Sequence, residues 1–275
     1  MKKRIFRGAS FMILALSLPA IGWTVNQKVE FSDAPVAKTQ QITPTTTVSE
    51  IVTATELFNQ HISDIYNEMN LENTSLNFEV FRKALTGYYN FQNSGAISSE
   101  KQVISIVDFN KPSTQKRLWI IDLASRKLLF NTFVAHGRGS GNNYATTFSN
   151  QANSHQSSLG FYVTNSVYYG KHGRSLKLDG MDRGHNSNAL NRAIVIHGAE
   201  YVSQSFINQH GRLGRSHGCP AVPVELTPAI IDTIKGKTTL FINGPATKAY
   251  SSNYLNAELA ANLFLTKASL KTATL

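Results

Sequence analysis

The sequence predicts a mainly β domain, a β-sandwich that carries N-terminal helices and short peripheral helices. Two observations support this class. From residue 103 onward, short runs rich in β-branched and aromatic residues recur, and glycine or polar segments rather than long helical ones separate most of them. Strands that are connected without intervening long helices are typical of two packed β layers rather than of a parallel α/β sheet. The runs lie at 103–109, 117–123, 128–135, 160–164, 193–197 and 239–242.

Residues 51–98 predict a helical cap or scaffold packed on a main domain at 99–245. Apolar residues recur there at intervals of three and four, which places them on one face of each of two helices. Asn77 is positioned to cap the second helix. The residues of the two apolar faces are Ile51, Ala54, Phe58, Ile62, Ile65 and Met69, then Phe78, Phe81, Leu85 and Tyr88.

Three further segments complete the predicted elements. A Ser125-Arg126-Lys127 turn is expected to join the second and third strands as a hairpin, and residues 227–234 predict a short helix. The C-terminal tail, 246–275, is predicted to hold a helix at 254–268 and a loose end. With 41% apolar residues the chain can bury a genuine core, which excludes disorder over most of its length.

The N-terminus has the pattern of an export signal. Residues 1–8 carry four basic side chains, and residues 9–23 carry no charge, as in the n-region and h-region of a secretory signal. Residues 1–26 are therefore predicted to be a cleaved signal peptide or an uncleaved membrane anchor, since the apolar run is short for a spanning helix. Residues 27–50 predict a flexible linker. The expected location is the periplasm or cell envelope.

The charge of the chain favours an anionic ligand. Its formal net charge is +10, and basic residues outnumber acidic ones by seven to three over residues 171–215. A local positive field of this kind attracts anions. Nucleic acid is excluded as a partner, because export removes it and the chain contains no recognised nucleic-acid motif.

The chain has a single cysteine, Cys219. In an oxidising compartment a lone thiol forms no intramolecular disulfide, so its presence indicates a reactive role. His217 lies two residues before it and His197 lies upstream in an Ile-His-Gly-Ala run, and a thiol needs such an imidazole to gain thiolate character. Gly218 leaves room for a substrate backbone, and Pro220 fixes the chain after the thiol. Cys219 is therefore the first candidate nucleophile, with a plain core cysteine as the alternative.

The run Ser216-His217-Gly218-Cys219, with Ile196-His197-Gly198 upstream, resembles the signature of the L,D-transpeptidase catalytic domain of bacterial cell-wall enzymes, the YkuD-like group. Further segments over about residues 75–243 resemble the murein L,D-transpeptidase catalytic-domain branch. The resemblance implies a mostly β fold, peptidoglycan stem peptides as the substrate, and no cofactor. The further segments are Asp108-Phe109, Arg117-Leu118-Trp119, Val134-Ala135-His136-Gly137, Phe148-Ser149-Asn150, 157–162 and 211–215.

The same resemblance implies the roles of the site residues. Cys219 is implied to be the nucleophile and His197 the general base, with the Gly198 carbonyl orienting the imidazole as a carboxylate does in other triads. The backbone N–H groups of Gly218 and Cys219 are the implied oxyanion hole. The reaction would be two-step acyl transfer through a thioester, resolved by an amine of a second stem (L,D-transpeptidase) or by water (L,D-carboxypeptidase).

Ser216 and His217 are implied to shape the pocket. His217 also stays open as an alternative base, because side chains two residues apart on an extended chain share a face.

The chain departs from the family signature just after the cysteine. Better-known members have an aliphatic residue and then an arginine there, whereas this chain has Pro220 and Ala221. Arg215 or Arg212 is the expected replacement and is expected to bind substrate. His136, in a second His-Gly run, is a further candidate for lining the cleft, with a tight glycine-rich loop as the alternative interpretation.

Two other functional classes compete with this interpretation. His197, His210, His217 and Cys219 are residue types that bind zinc, so a zinc-dependent peptidase or a metal-stabilised binding module is one alternative. The altered residues after Cys219 suggest the other, a catalytically silent peptidoglycan-binding protein. Metal analysis separates the first alternative from thiol catalysis, and detection of an acyl adduct separates an enzyme from a binder.

Overall fold

The computed structural model describes residues 53–245 and 250–273. The predicted signal or anchor at 1–26 and the linker at 27–50 lie outside these residues. Within the described ranges, no helix is both long enough and apolar enough to cross a bilayer.

Eight strands form one mixed sheet, which confirms the predicted mainly β class. Their order across the sheet is β3-β2-β1-β8-β4-β5-β6-β7. The β1–β8 and β6–β7 pairs are parallel, and the other five neighbouring pairs are antiparallel. The strands are β1 (Val103–Asp108), β2 (Leu118–Asp122), β3 (Lys127–Thr132), β4 (Gly160–Gly170), β5 (Gly173–Gly180), β6 (Val195–Gly198), β7 (Ala221–Val222) and β8 (Thr239–Asn243).

The sheet curls back on itself, so that its first and last strands approach each other. The chain beyond β3 pairs with β7, where the N–H of Ala135 donates to the Ala221 carbonyl at 2.8 Å. Slightly further along, Ser216 N–H donates to the His136 carbonyl at 3.0 Å. Closure of this kind makes the sheet barrel-like and removes an exposed edge at β7. The segment that carries Cys219 is therefore held between β6 and the chain after β3.

Residues on alternate sides of the central strands fill two of the three apolar clusters formed by the described residues. Leu118, Ile120 and Leu240 lie in the core enclosed by the curled sheet. Their neighbours Trp119 and Phe241 lie on the outer side and pack against the helices. Because both faces of the central strands are buried, the strands are apolar along nearly their whole length, as expected of a sheet covered on two sides.

Within residues 53–245 and 250–273, five α-helices flank the sheet, and the two N-terminal ones form as predicted. The Thr53 side chain accepts from Glu56 N–H while the Glu56 carboxylate accepts from Thr53 N–H, which is a capping box. Asn77 caps the second helix as expected. The helices are α1 (Ala54–Glu68), α2 (Phe78–Ser94), α3 (Gln204–His210), α4 (Thr227–Ile234) and α5 (Ala257–Ala273).

The C-terminal segment is more ordered than the sequence indicates. The helix predicted at 254–268 begins at Ala257 and extends to Ala273, so it includes most of the run 267–275 that the sequence predicted to be loose; residues 274 and 275 lie outside the described residues. Its Phe264 ring stacks on His61 of α1, with 4.4 Å between the centroids. The Asn90 amide of α2 donates to the Tyr254 carbonyl at 2.8 Å, just before α5 begins. These contacts attach the C-terminal segment to the N-terminal helices on the outer face of the sheet.

Gly87→Ala is expected to destabilise the protein by about 1 kcal/mol. Helix α2 packs so closely on β4 that a Cβ at Gly87 would lie 2.1 Å from Cε1 of Phe161. Overpacking costs ~1–3 kcal/mol, which exceeds the gain of about 1 kcal/mol that alanine brings to a helix. Urea unfolding measures the change. Adding Phe161→Leu to the variant should recover part of the lost stability, and a wild-type unfolding midpoint for Gly87→Ala alone would contradict this packing.

Candidate active site

A tight turn at residues 216–219 presents Cys219 just before β7. The Ser216 hydroxyl donates to the Cys219 carbonyl at 2.6 Å and accepts from the Gly218 N–H at 3.1 Å. Gly218 has φ +125°, and a Cβ there would lie 2.8 Å from the Gln156 carbonyl oxygen, so only glycine fits. The Ser157 hydroxyl ties the turn to the neighbouring loop by donating to the Gly218 carbonyl at 3.1 Å. The turn is therefore fixed by its own serine and by its surroundings.

The thiol of Cys219 is half-buried and packs against the core inside the curled sheet. Its Sγ donates to the Ala193 carbonyl at 3.6 Å. Burial raises the pKa of Cys219, while the N–H of Val195, the charge of Arg192 and its own N–H oppose that rise. The sequence-based expectation that a histidine partner depresses the pKa of this thiol is wrong, because burial raises that pKa and no histidine of the described residues is among the groups that shift it. Desolvation outweighs the stabilising groups, and the resting group is a neutral thiol.

His197 lies on β6, directly opposite Ala221 of β7 in the parallel ladder. Its side chain is only 2% exposed, and Nδ1 donates to the Gly198 carbonyl at 2.8 Å. This is the contact implied for Gly198, and it leaves Nε2 as the basic nitrogen. Burial first, and then the nearby His172 and Lys171, lower the pKa of His197. The imidazole is therefore neutral at pH 7 and able to accept a proton.

The fold brings Cys219 and His197 to adjacent strands, but it does not join them directly. Across the described residues, no hydrogen bond links Sγ to the His197 ring, since Sγ is directed at Ala193. The pairing of His197 with Ala221 places the Cys219 turn at the start of the strand beside the imidazole. The roles of Cys219 as nucleophile and His197 as base stay predictions. For the two to interact, the thiol must first break its hydrogen bond to the Ala193 carbonyl.

His217 points away from the protein interior. Its ring is exposed and lies 4.5 Å from the His155 ring, centroid to centroid. Burial and then the charges of Arg138, His155, Lys171 and His172 lower the pKa of His217. His217 thus belongs to a group of cationic and imidazole side chains, which we call the basic rim: Arg138, His155, Lys171, His172 and His217. Among the described residues, no acidic side chain contributes to the pKa shift of His217.

Arg192 is a site residue that the sequence reasoning did not single out. Its guanidinium lies beside the turn, because a Cβ on Gly218 would be 3.3 Å from Nη2. Its charge lowers the pKa of the Cys219 thiol, although not enough to overcome burial. Arg192 also organises the loop that borders the turn. It donates to the carbonyls of Ser149 and Gln156, each at 2.6 Å, and to the hydroxyls of Ser154 at 3.2 Å and Ser158 at 2.5 Å.

Arg192→Gln is expected to slow alkylation of Cys219 by iodoacetamide several-fold at pH 7. Loss of the guanidinium charge removes a group that favours the thiolate, and only the thiolate reacts. Arg212→Gln is the matched control, since Arg212 is not among the groups that act on the Cys219 thiol. Equal rates for the two variants would show that Arg192 does not influence the thiol.

The three residues predicted to bind substrate, Arg215, Arg212 and His136, all hydrogen-bond to other parts of the protein. Arg215 donates through Nη1 to the Gly141 carbonyl at 2.9 Å, and Arg212 donates to the Leu213 carbonyl at 2.6 Å. His136 is 0% exposed, and its Nδ1 accepts from Arg117 Nη2 at 2.8 Å. The ring of His136 therefore does not line the cleft. Its place in the interior follows from the pairing of its backbone with Ser216.

The residues proposed as zinc ligands are not assembled. His210 lies at the end of α3, where its ring stacks on Phe206 with 4.0 Å between centroids. In the described ranges, no three or more histidine, cysteine or acidic side chains are grouped so as to hold a metal ion.

The fold places His197 on β6 and Cys219 just before the neighbouring strand β7, and the family follows from the sequence. The L,D-transpeptidase catalytic domain family of the YkuD type matches residues 72–243. The chain therefore belongs to that family, as the resemblance predicted. No curated protein sequence matches the chain.

Two solved L,D-transpeptidase structures and one of a cell shape determining protein are similar to the chain at low sequence identity. The enzyme from Mycobacterium smegmatis is 10% identical, with a TM-score of 0.31 over 52% of this chain and 59% of that one. The enzyme from Stackebrandtia nassauensis is 15% identical, with a TM-score of 0.32 over 55% and 61%. The helical cell shape determining protein Pgp2 from Campylobacter jejuni is 14% identical, with a TM-score of 0.36 over 68% and 65%. The chain thus spans less than two thirds of these proteins.

Proposed function

We propose that this protein is an exported cell-wall enzyme that transfers acyl groups of peptidoglycan stem peptides through Cys219. It acts as an L,D-transpeptidase, or as an L,D-carboxypeptidase when water is the acceptor. The observation that carries the proposal is the arrangement of the His197 ring, fixed by the Gly198 carbonyl at 2.8 Å on the strand beside the Cys219 turn. Membership of the L,D-transpeptidase family supports the same assignment.

In the first step, neutral His197 takes the proton of the Cys219 thiol through Nε2. The thiolate sulfur attacks the carbonyl carbon between the L-centre of the diamino acid and the terminal D-residue. The imidazolium then gives its proton to the departing amine as the C–N bond breaks, which leaves a thioester on Cys219. Binding of substrate is expected to turn the thiol from the Ala193 carbonyl toward His197, since the resting contact is long at 3.6 Å.

The oxyanion of this step needs backbone donors. The N–H of Gly218 already donates to the Ser216 hydroxyl at 3.1 Å. Of the two N–H groups implied to bind the oxyanion, the N–H of Cys219 is therefore the one left. The N–H of Gly218 can contribute when its hydrogen bond to Ser216 breaks as substrate binds. One well-placed donor is worth about 10²–10³ in rate in comparable sites. Ser216 thus acts on the reaction by holding the turn rather than by contacting the thiol.

In the second step, the acceptor amine of another stem attacks the thioester carbonyl. His197 removes the proton of the amine, the C–S bond breaks, and the proton returns to the thiolate, which regenerates the enzyme. Water in place of the amine yields the free carboxylate. Because His197 has a lowered pKa, the acidic limb of activity should lie below the usual histidine value of 6.5.

The basic rim supports an anionic substrate. Arg138, Lys171 and three histidines lie together at the mouth of the site, without an acidic side chain among the groups that act on His217. Stem peptides carry carboxylates, which a positive field concentrates near the nucleophile. The rim therefore fits the proposed substrate in charge.

Incubation of the purified protein with tetrapeptide muropeptides tests the proposal directly. The expected result is loss of the terminal D-residue or formation of a cross-link, together with an acyl adduct that peptide mapping assigns to Cys219. A chelator should leave the activity unchanged. Adduct-free binding of stems would instead support a silent wall-binding protein, and reversible loss of activity with the chelator would support the zinc alternative.

Export is a separate part of the proposal, supported by the basic residues 1–8 and the uncharged run 9–23. A reporter that is active only outside the cytoplasm should be active when fused after residue 50. A stable but inactive fusion would contradict this location.

A further inference from the structure

The turn between β4 and β5 places a second imidazole against His197. The His172 and His197 rings are stacked, with 4.4 Å between centroids and 24° between planes. His172 is exposed on the outside of the protein, whereas His197 is 2% exposed. His172 therefore covers one face of the His197 ring and separates it from solvent.

The backbone explains why the two rings meet. Gly170 pairs with Gly173, so Lys171 and His172 form a two-residue hairpin loop. Ser175, two residues beyond Gly173, lies opposite His197 in the antiparallel β5–β6 ladder. The loop is consequently held at a short, fixed distance above the His197 side chain.

We propose that His172 is a positioning residue, whose stacked ring holds His197 against the Gly198 carbonyl and keeps water from the face of the base. This inference rests on the proposed function, in which His197 is the base. A planar ring in this place limits rotation of the imidazole, so that Nε2 stays directed toward the incoming thiol proton. Restricting such motion is the usual contribution of positioning groups to rate.

Two charged or titratable side chains in the described residues shift the pKa of His197. His172 and Lys171 on the hairpin lower its pKa together with burial, and the Gly198 carbonyl on its own strand opposes them. Removing the His172 ring admits water and removes one neighbour, so the pKa of His197 should rise toward its ordinary value. The fraction of neutral base at mildly acidic pH should then fall.

Three variants of the full protein test the role. His172→Ala should lower kcat for release of the terminal D-residue about tenfold, a larger effect than the rise in KM from losing one side chain of the basic rim, and should move the acidic limb to higher pH. His172→Phe keeps a flat ring and should recover most of the lost kcat. Tyr169→Ala is the matched control, since Tyr169 lies on the same hairpin but is 79% exposed.

Titration of the histidine rings by NMR gives a readout independent of turnover. The His197 ring should titrate at higher pH in His172→Ala than in the wild type, and Tyr169→Ala should leave it unchanged. Wild-type kcat together with wild-type His197 titration in His172→Ala would overturn the inference. If the wild-type protein releases no D-residue, the proposed function fails, and the titration alone then decides whether His172 controls the environment of His197.

Discussion

Cys219→Ala is expected to abolish release of the terminal D-residue from tetrapeptide stems, with a loss of at least about 10³-fold in kcat/KM. The chain has a single cysteine, so no other thiol can form the thioester. The side chain is small, and its hydrogen bond to the Ala193 carbonyl is long at 3.6 Å. The variant should therefore fold normally while losing the reaction. Mass analysis of the muropeptide products and of the protein measures both.

Cys219→Ser is the companion variant, because it keeps the shape and replaces the sulfur with a poorer nucleophile. It should also be inactive with His197 as its only base, and it should still bind stems. An unfolding midpoint within error of the wild type is the control for both variants. Full turnover in either variant would exclude thiol acyl transfer by this protein.

Arg117→Ala is expected to cost about 3–5 kcal/mol of unfolding free energy, the largest stability loss foreseen for a single polar side chain here. Arg117 is 0% exposed, and its guanidinium donates to the Lys111 carbonyl at 2.8 Å and the Val134 carbonyl at 3.0 Å. It also donates to His136 Nδ1 at 2.8 Å and lies over the Phe109 ring at 4.9 Å. Truncation leaves these buried acceptors unpaired and opens a cavity.

Arg82→Ala is the matched control for Arg117. Arg82 forms a 2.6 Å ion pair with Glu79 on the exposed face of α2, a pair of the kind that contributes about 0–1 kcal/mol. Urea unfolding of the two variants should therefore differ by several kcal/mol. A loss below about 1 kcal/mol for Arg117→Ala would show that the surrounding chain re-satisfies these acceptors through water or rearrangement.

The elements that the sequence predicted best have strong local signals. Helix α4 has the predicted bounds, and Asn77 caps α2, because periodicity and capping act over a few residues. Strand β5 was not predicted, since it starts at a glycine and carries Arg174 and Lys177 among its apolar residues. Strand β7 is two residues long, and only its neighbours in space make it a strand.

The same distinction applies to the site. Cys219 and His197 could be predicted because short motifs carry them. Arg192 and His172 could not be predicted, because only the folding of their loop and hairpin brings them beside Cys219 and His197. The burial that raises the pKa of Cys219 is likewise a property of the folded surroundings rather than of the motif.

The pairing of β1 with β8 has a consequence for when the proposed active site can form. Ile104 pairs with Thr239, so β1, the first strand in the sequence, can pair with β8 only after the last strand has been made. Contacts between such distant segments form slowly, because the whole intervening chain must be closed into a loop first. Strand β8 also pairs with β4, which leads into the hairpin beside His197. A chain still emerging during synthesis therefore lacks the ordered surroundings of Cys219 and His197, which form only after β8 has emerged.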